Sequence, residues 1–129
     1  MKAEPDHSQS WGDVQMTWEH STSKPPEDPS WKCRIYRVRL SRSGQSWDCD
    51  YYMGLGCKDS PSIREVLHSL QFDCHYGSML FQDCCDETGT SADSRQALEA
   101  YLACQRQAVG LRKMLGSRWR EFLRTDFNT

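Results

Sequence analysis

The period of the hydrophobic residues changes once along this chain, near Ser60. Upstream, apolar side chains recur at every second position; downstream they recur every three or four. VQMTW sets Val14, Met16 and Trp18 against Gln15 and Thr17, the alternation of a half-buried strand. WKCRIYRVRL (31–40) is rich in β-branched and aromatic residues, and Arg34, Arg37 and Arg39 interrupt them, so one face is wet. WDCDYYM (47–53) alternates Trp47, Cys49, Tyr51 and Met53 with Asp48, Asp50 and Tyr52. A turn at Gly44 joins the last two segments into a hairpin.

Beyond Ser60 the signals are helical. Ser60 caps and Pro61 opens a helix, and Ile63, Val66, Leu67 and Leu70 form one apolar stripe. Ser78 is placed to cap a short helix that presents Leu80, Phe81, Cys84 and Cys85 and stops near Gly89. The longest helix runs from about Ala92 to Leu115, with Ser91 or Asp93 near its start and Gly116 as the residue that ends it. Its seam is Ala97, Tyr101, Cys104, Ala108, Leu111 and Leu115, and RWREFL makes a final turn or two. Strands first and helices after predict an α+β fold: a three-stranded antiparallel sheet followed by three to four helices packed on one face.

The length of 129 residues suits one domain. Mean hydropathy is −0.79, polar for a chain packed throughout, so part of it is expected to lie outside the core. That part is residues 1–30, a polar extension with one strand at 13–19 and the proline-rich linker HSTSKPPEDPS. The α+β domain then covers 31–125. The first residues lack the apolar core of a signal peptide. No apolar run reaches the roughly 18 residues of a membrane span. The expectation is a cytoplasmic protein with no membrane partner, monomeric or a small homo-oligomer.

The stretch FDCHYGSMLFQDCC (72–85) holds three of the seven cysteines. Cys74-His75 and Cys84-Cys85 are adjacent pairs, and neighbouring residues point in different directions, so both members of a pair seldom reach one tetrahedral ion. Asp83 and Asp86 bracket the second pair, and carboxylates raise a thiol pKa. An odd number of cysteines at irregular spacing, without a secretion signal, reads as free thiols. The chain has no G-x-S-x-G, no phosphate-binding glycine loop and no H-E-x-x-H, and Gly54-Leu55-Gly56 lacks the third glycine of a nucleotide loop. No catalytic residue, metal ligand or cofactor is assigned on this basis. A small cysteine-based enzyme or metal protein stands as an alternative. The stretch reads as a hinge, HYGS, leading into a core-facing turn, with His75, Asp83 and Asp86 on its polar side as candidate contacts.

Charge is uneven along the chain. The first thirty residues carry Glu4, Asp6, Asp13, Glu19, Glu27 and Asp28 against Lys2 and Lys24. The last helical segment carries Arg112, Lys113, Arg118, Arg120 and Arg124 against Glu121, with Trp119 among them. Interleaved cations and aromatics suit a protein hot spot, phosphate contacts with base stacking, or a sealed core whose arginines complement helix ends.

YYMGLG (51–56), SPSIREVLHSL (60–70), FQDCCDETG (81–89) and ADSRQALEAYLACQRQAVGLRKMLG (92–116) together form a pattern. It resembles a widespread group of small bacteriophage and prophage accessory proteins. In that group a strand ending Tyr-x-Met-Gly precedes a proline-initiated helix, and Asp-Ser-Arg-x-Ala opens a long helix containing Tyr-x-x-Cys. The match covers residues 31–123 and is most specific at Asp93-Ser94-Arg95, Tyr101 and Cys104. It departs at Cys84, which stands one place after the expected aromatic, and at Thr90. The group has no enzymatic assignment to carry over. What the resemblance implies is a phage-encoded, non-enzymatic protein that binds a host protein or nucleoprotein complex, in the manner of anti-CRISPR inhibitors. A nucleic-acid-binding accessory of phage replication or recombination is the second expectation.

Overall fold

The computed structural model of the protein describes residues 8–20, 33–54 and 60–127. The proline-rich segment after His20, the connection at 55–59 and with it Cys57 lie outside the described residues. The chain divides into two compact units, Met1–Val66 and Leu67–Thr129.

The first unit holds four antiparallel strands in the order of the chain: β1 (Ser8–Trp11), β2 (Val14–His20), β3 (Cys33–Arg42) and β4 (Gln45–Gly54). The sheet therefore has four strands where the apolar pattern predicts three. SQSW carries no apolar alternation, so β1 has no hydrophobic signature. Its pairing comes instead from the two-residue turn Gly12-Asp13, with Gly12 at φ 59° and Trp11 opposite Val14. A glycine at the first turn position supplies the positive φ that matches the twist of a tight hairpin. The β3–β4 turn, Ser43-Gly44, has positive φ at both positions and sets Arg42 opposite Gln45.

Alternation along the strands sorts the two faces as expected except at the start of β3, where Arg34 stands opposite Met53 rather than on the face of Arg37 and Arg39, and Ile35, on that face, is buried. Val14, Met16, Trp18, Tyr36, Val38, Leu40 and Met53 share one face and are buried. The other carries Arg37 beside Asp50 (3.0 Å) and Arg39 beside Asp48 (2.7 Å), and the Arg39 guanidinium holds the Asp48 carboxyl below the usual carboxylate range. Such exposed pairs set strand register more than they add stability.

Helix α1 (Ile63–Gly77) begins in the first unit. Its opening is held by Gln9, fifty-odd residues upstream. The Gln9 Oε1 accepts from the Ile63 N–H at 2.8 Å, and its Nε2 donates to the Pro61 carbonyl at 3.2 Å. One strand side chain thus satisfies an orphan amide of the first turn. Ser60 had been the sequence-based candidate for that cap.

The second unit continues α1 and adds α2 (Phe81–Thr88), α3 (Arg95–Leu115), a 3₁₀ turn at Gly116–Arg118 and α4 (Trp119–Arg124). The expected seam of α3 is correct at four of its six positions: Tyr101, Ala108, Leu111 and Leu115 are buried, joined by Met114, while Ala97 and Cys104 are half-buried. Ser94, one residue beyond Asp93, supplies the cap, its hydroxyl accepting from the Ala97 N–H at 3.2 Å. Gly89 and Gly116 follow α2 and α3 at positive φ, as their positions predict.

The α1–α2 corner differs from expectation. His75, Tyr76 and Gly77 are the last residues of α1 and form no hinge. The N-cap of α2 is Leu80, whose side chain makes no capping bond, so Ser78 does not cap it. Leu80 is also 73% exposed and does not face the core. The corner is fixed instead by Tyr101, whose hydroxyl donates to the Met79 carbonyl at 2.7 Å, and by Gly77, which lies directly against the α3 backbone at Cys104. At the other end, Phe122 is fully buried between Trp119 and Phe127. Gln71 Nε2 donates to both the Phe122 and Thr125 carbonyls at 2.7 Å, tying the end of α4 to the middle of α1. No helix among the described residues is long and apolar enough to cross a membrane.

Candidate functional site

Thiol chemistry needs thiolate. Cys74, Cys84, Cys85 and Cys104 of the helical unit carry free thiols. Cys74 lies one turn beyond Leu70 on the buried stripe of α1, and burial pushes its thiol up to about 12, with Asp73 and Cys104 adding to the rise. Burial likewise pushes Cys104 up to about 11, with help from Asp73, whose Oδ1 stands 3.9 Å from its Sγ. Cys84 is raised by burial first, then by Cys85 and Glu87. The bracketing aspartates are not the main cause, although the direction is as expected. These groups are protonated at neutral pH. Among the described residues no three His, Cys, Asp or Glu side chains converge as a metal site.

A measurement follows directly. In the native protein at pH 7.5, Cys74 and Cys104 should resist iodoacetamide, and peptide mass spectrometry should find both unmodified until the chain is unfolded. Because Cys74 keeps its proton to higher pH folded than unfolded, the folded state binds more protons between about pH 9 and 12. Stability therefore falls as pH rises through that window.

A hollow of about 200 Å³ lies between α2 and α3, lined by Cys84, Cys85, Ala97, Tyr101 and Cys104. It brings these thiols near one another, and Asp73 is the carboxylate that meets Cys104. On the wet face of the sheet, a second hollow runs along Arg37, Arg39 and Asp48, where the cations are already matched by aspartates.

A groove of about 450 Å³ runs along α1, lined by His68, Gln71, Phe72, His75, Ser78 and Leu123. Phe72 and Leu123 are half exposed, and His68 meets Phe72 edge-on at 5.1 Å. The Gln71 bonds place α4 at one end of this groove; the His75–Glu87 contact, at 3.0 Å, places α2 at the other.

The candidate contacts from the sequence separate into several places. Arg112 and Lys113 are exposed on the last turn of α3. Arg120 and Arg124 are exposed on α4. Arg118 is largely covered and paired with Glu121 at 2.8 Å, and the Trp119 ring is packed on Phe122 at 5.7 Å. Those two belong to the fold of the α4 end. His75 lines the α2 end of the groove and meets Glu87, Asp83 is exposed one turn before Glu87, and Asp86 accepts from Gln82 at 3.0 Å. The basic residues therefore do not form a single patch with the acidic ones.

One surface went unnoticed in the sequence. Leu98, Leu102 and Val109 of α3 are exposed and, at 3.6 residues per turn, fall within about 40° of one another. By the same geometry Arg106 and Lys113 flank this stripe on one side and Arg112 on the other. Glu99, the acidic residue beside it, is engaged by Arg95 at 3.2 Å. The signal was present as leucines off the main seam at a spacing of four. Comparison of the chain with protein-family models, with curated proteins and with solved structures yields no match.

Proposed function

We propose that this chain is a non-enzymatic binding protein that acts by protein–protein contact. The setting implied by its sequence resemblance is a phage accessory protein that blocks a defence nucleoprotein complex in a bacterial host. What supports contact of this kind is the exposed stripe of α3, with apolar Leu98, Leu102 and Val109 between Arg106, Lys113 and Arg112. An apolar centre with a charged rim is the usual anatomy of a protein interface, and the rim here calls for an acidic partner surface. A long helix offering anchors one and three turns apart suits a groove on that partner. The thiols, held protonated, add no reactive group to this surface.

The test uses purified guide-RNA-loaded CRISPR effector complexes and measures target-DNA cleavage with increasing amounts of the chain. Stoichiometric inhibition is expected, together with co-elution on gel filtration. The Leu102→Glu, Val109→Glu double variant should lose both at an unchanged melting temperature. Absence of inhibition and of co-elution across effector types removes this reading. A mobility shift of bare DNA at low salt, lost on charge reversal at Arg112 and Lys113, would replace it with the nucleic-acid reading. The packing of Trp119 on Phe122 counts against that alternative, since it leaves less of the half-buried ring to stack on a base.

A further inference from the structure

The α1 groove and the residue next to it form a matched pair on one surface. Leu80 breaks two local rules. It is an apolar side chain 73% exposed to solvent, and it occupies an N-cap, where Ser, Thr, Asp or Asn would bond the first turn and leucine does not. Departures of this kind are expected at functional or strained sites. The groove beside it ends at Ser78, two residues away, and offers Phe72 and Leu123, which are 54% and 49% exposed.

Charge is ordered along the same line. At the α4 end, Arg120 precedes Leu123 by three residues and is therefore its neighbour on the helix surface. At the α2 end, Asp83 stands in the first turn, three residues after Leu80, and Glu87, one turn beyond, is already in contact with His75. From Gln71, which holds α4, to Ser78 is about 10 Å along α1. The strip thus runs from a basic end, across an apolar middle, to an acidic end that carries an exposed leucine. A two-fold axis through the middle of such a strip lays the basic end of one copy over the acidic end of the other. It also lays each leucine over the other copy's groove.

We infer that the protein pairs with a second copy of itself through this groove, Leu80 of each copy entering the groove of the other and Asp83 facing Arg120 across the interface. The α3 stripe is a separate surface, so this pairing and the partner contact proposed above stand or fall independently.

Sedimentation equilibrium on the full chain, from micromolar to millimolar concentration, should show a monomer–dimer equilibrium. Leu80→Ser should weaken it by about a hundredfold, since two buried leucines are lost per dimer. The same substitution supplies a better cap, so the melting temperature of the variant monomer should hold or rise, which separates loss of pairing from loss of fold. Asp83→Arg and Arg120→Glu should each weaken pairing, and their combination should restore it. A wild-type chain that stays monomeric throughout overturns the inference. So does a Leu80→Ser variant that pairs as well as wild type, or a charge exchange that fails to restore association.

Discussion

Replacing Gly77 with alanine is expected to cost the helical unit about 3 kcal/mol or more, the upper range of overpacking in a filled interior. The new Cβ would stand 2.6 Å from the backbone nitrogen of Gln105 and closer still to the Cys104 carbonyl. All of these are main-chain atoms inside α3, so no rotamer change can make room. Relief requires α1 and α3 to move apart, and that movement pulls on the Tyr101–Met79 hydrogen bond one turn away. Gly89 is the control: a Cβ there meets nothing within 4 Å, and only its positive φ of 73° is penalised, by about 1–2 kcal/mol. Urea denaturation of the two alanine variants should therefore rank Gly77→Ala well below Gly89→Ala. Equal midpoints would mean that the close approach of α1 to α3 carries no energy.

Phe122→Ala should cost about 3–5 kcal/mol, the range for removing a buried aromatic ring. Phe122 is fully buried, with Trp119 at 5.7 Å and Phe127 at 6.0 Å between ring centres. Its own carbonyl accepts from Gln71, so the cavity would open beneath the anchored end of α4. Two effects should be separable. The denaturation midpoint should fall, and hydrogen exchange should show the amides of α4 losing protection ahead of those of α3. For a domain whose whole stability is of the order of 5–15 kcal/mol, such a loss leaves little margin at body temperature. A variant with wild-type midpoint and protected α4 amides would show that the aromatic cluster does not hold this end.

Which parts of this architecture could be read beforehand follows a simple division. Elements that bury a periodic stripe were legible: β2 through Val14, Met16 and Trp18, β4 through its alternation, and α3 through Tyr101, Ala108, Leu111 and Leu115. Features that rest on a tight turn or on long-range polar contacts were not. β1 has only serines, a glutamine and a tryptophan, and the role of Gln9 as a helix cap depends on a residue 54 positions away. No local pattern encodes that pairing. The same holds for Gly77, whose importance lies in the backbone opposite it. Leu80 was misread for the converse reason. Its spacing fits the stripe of Phe81, Cys84 and Cys85, but it stands at the cap rather than inside the helix and turns outward. Among the candidate contacts, counting charges located the cations and could not tell which were already spent. Arg118 is matched by Glu121 and Trp119 by Phe122, leaving Arg112, Lys113, Arg120 and Arg124 on the surface.

The meander order β1-β2-β3-β4 has a bearing on how the chain is born. Each strand pairs with the one synthesised just before it, and two of the three pairings close through two-residue turns. Such hairpins form in about 1–10 μs, far faster than a ribosome adds the next residue. The sheet can be complete while α1 is still in the exit tunnel. Gln9 is then already in position when Pro61 and Ile63 emerge, so the first strand acts as a template against which the first helix starts.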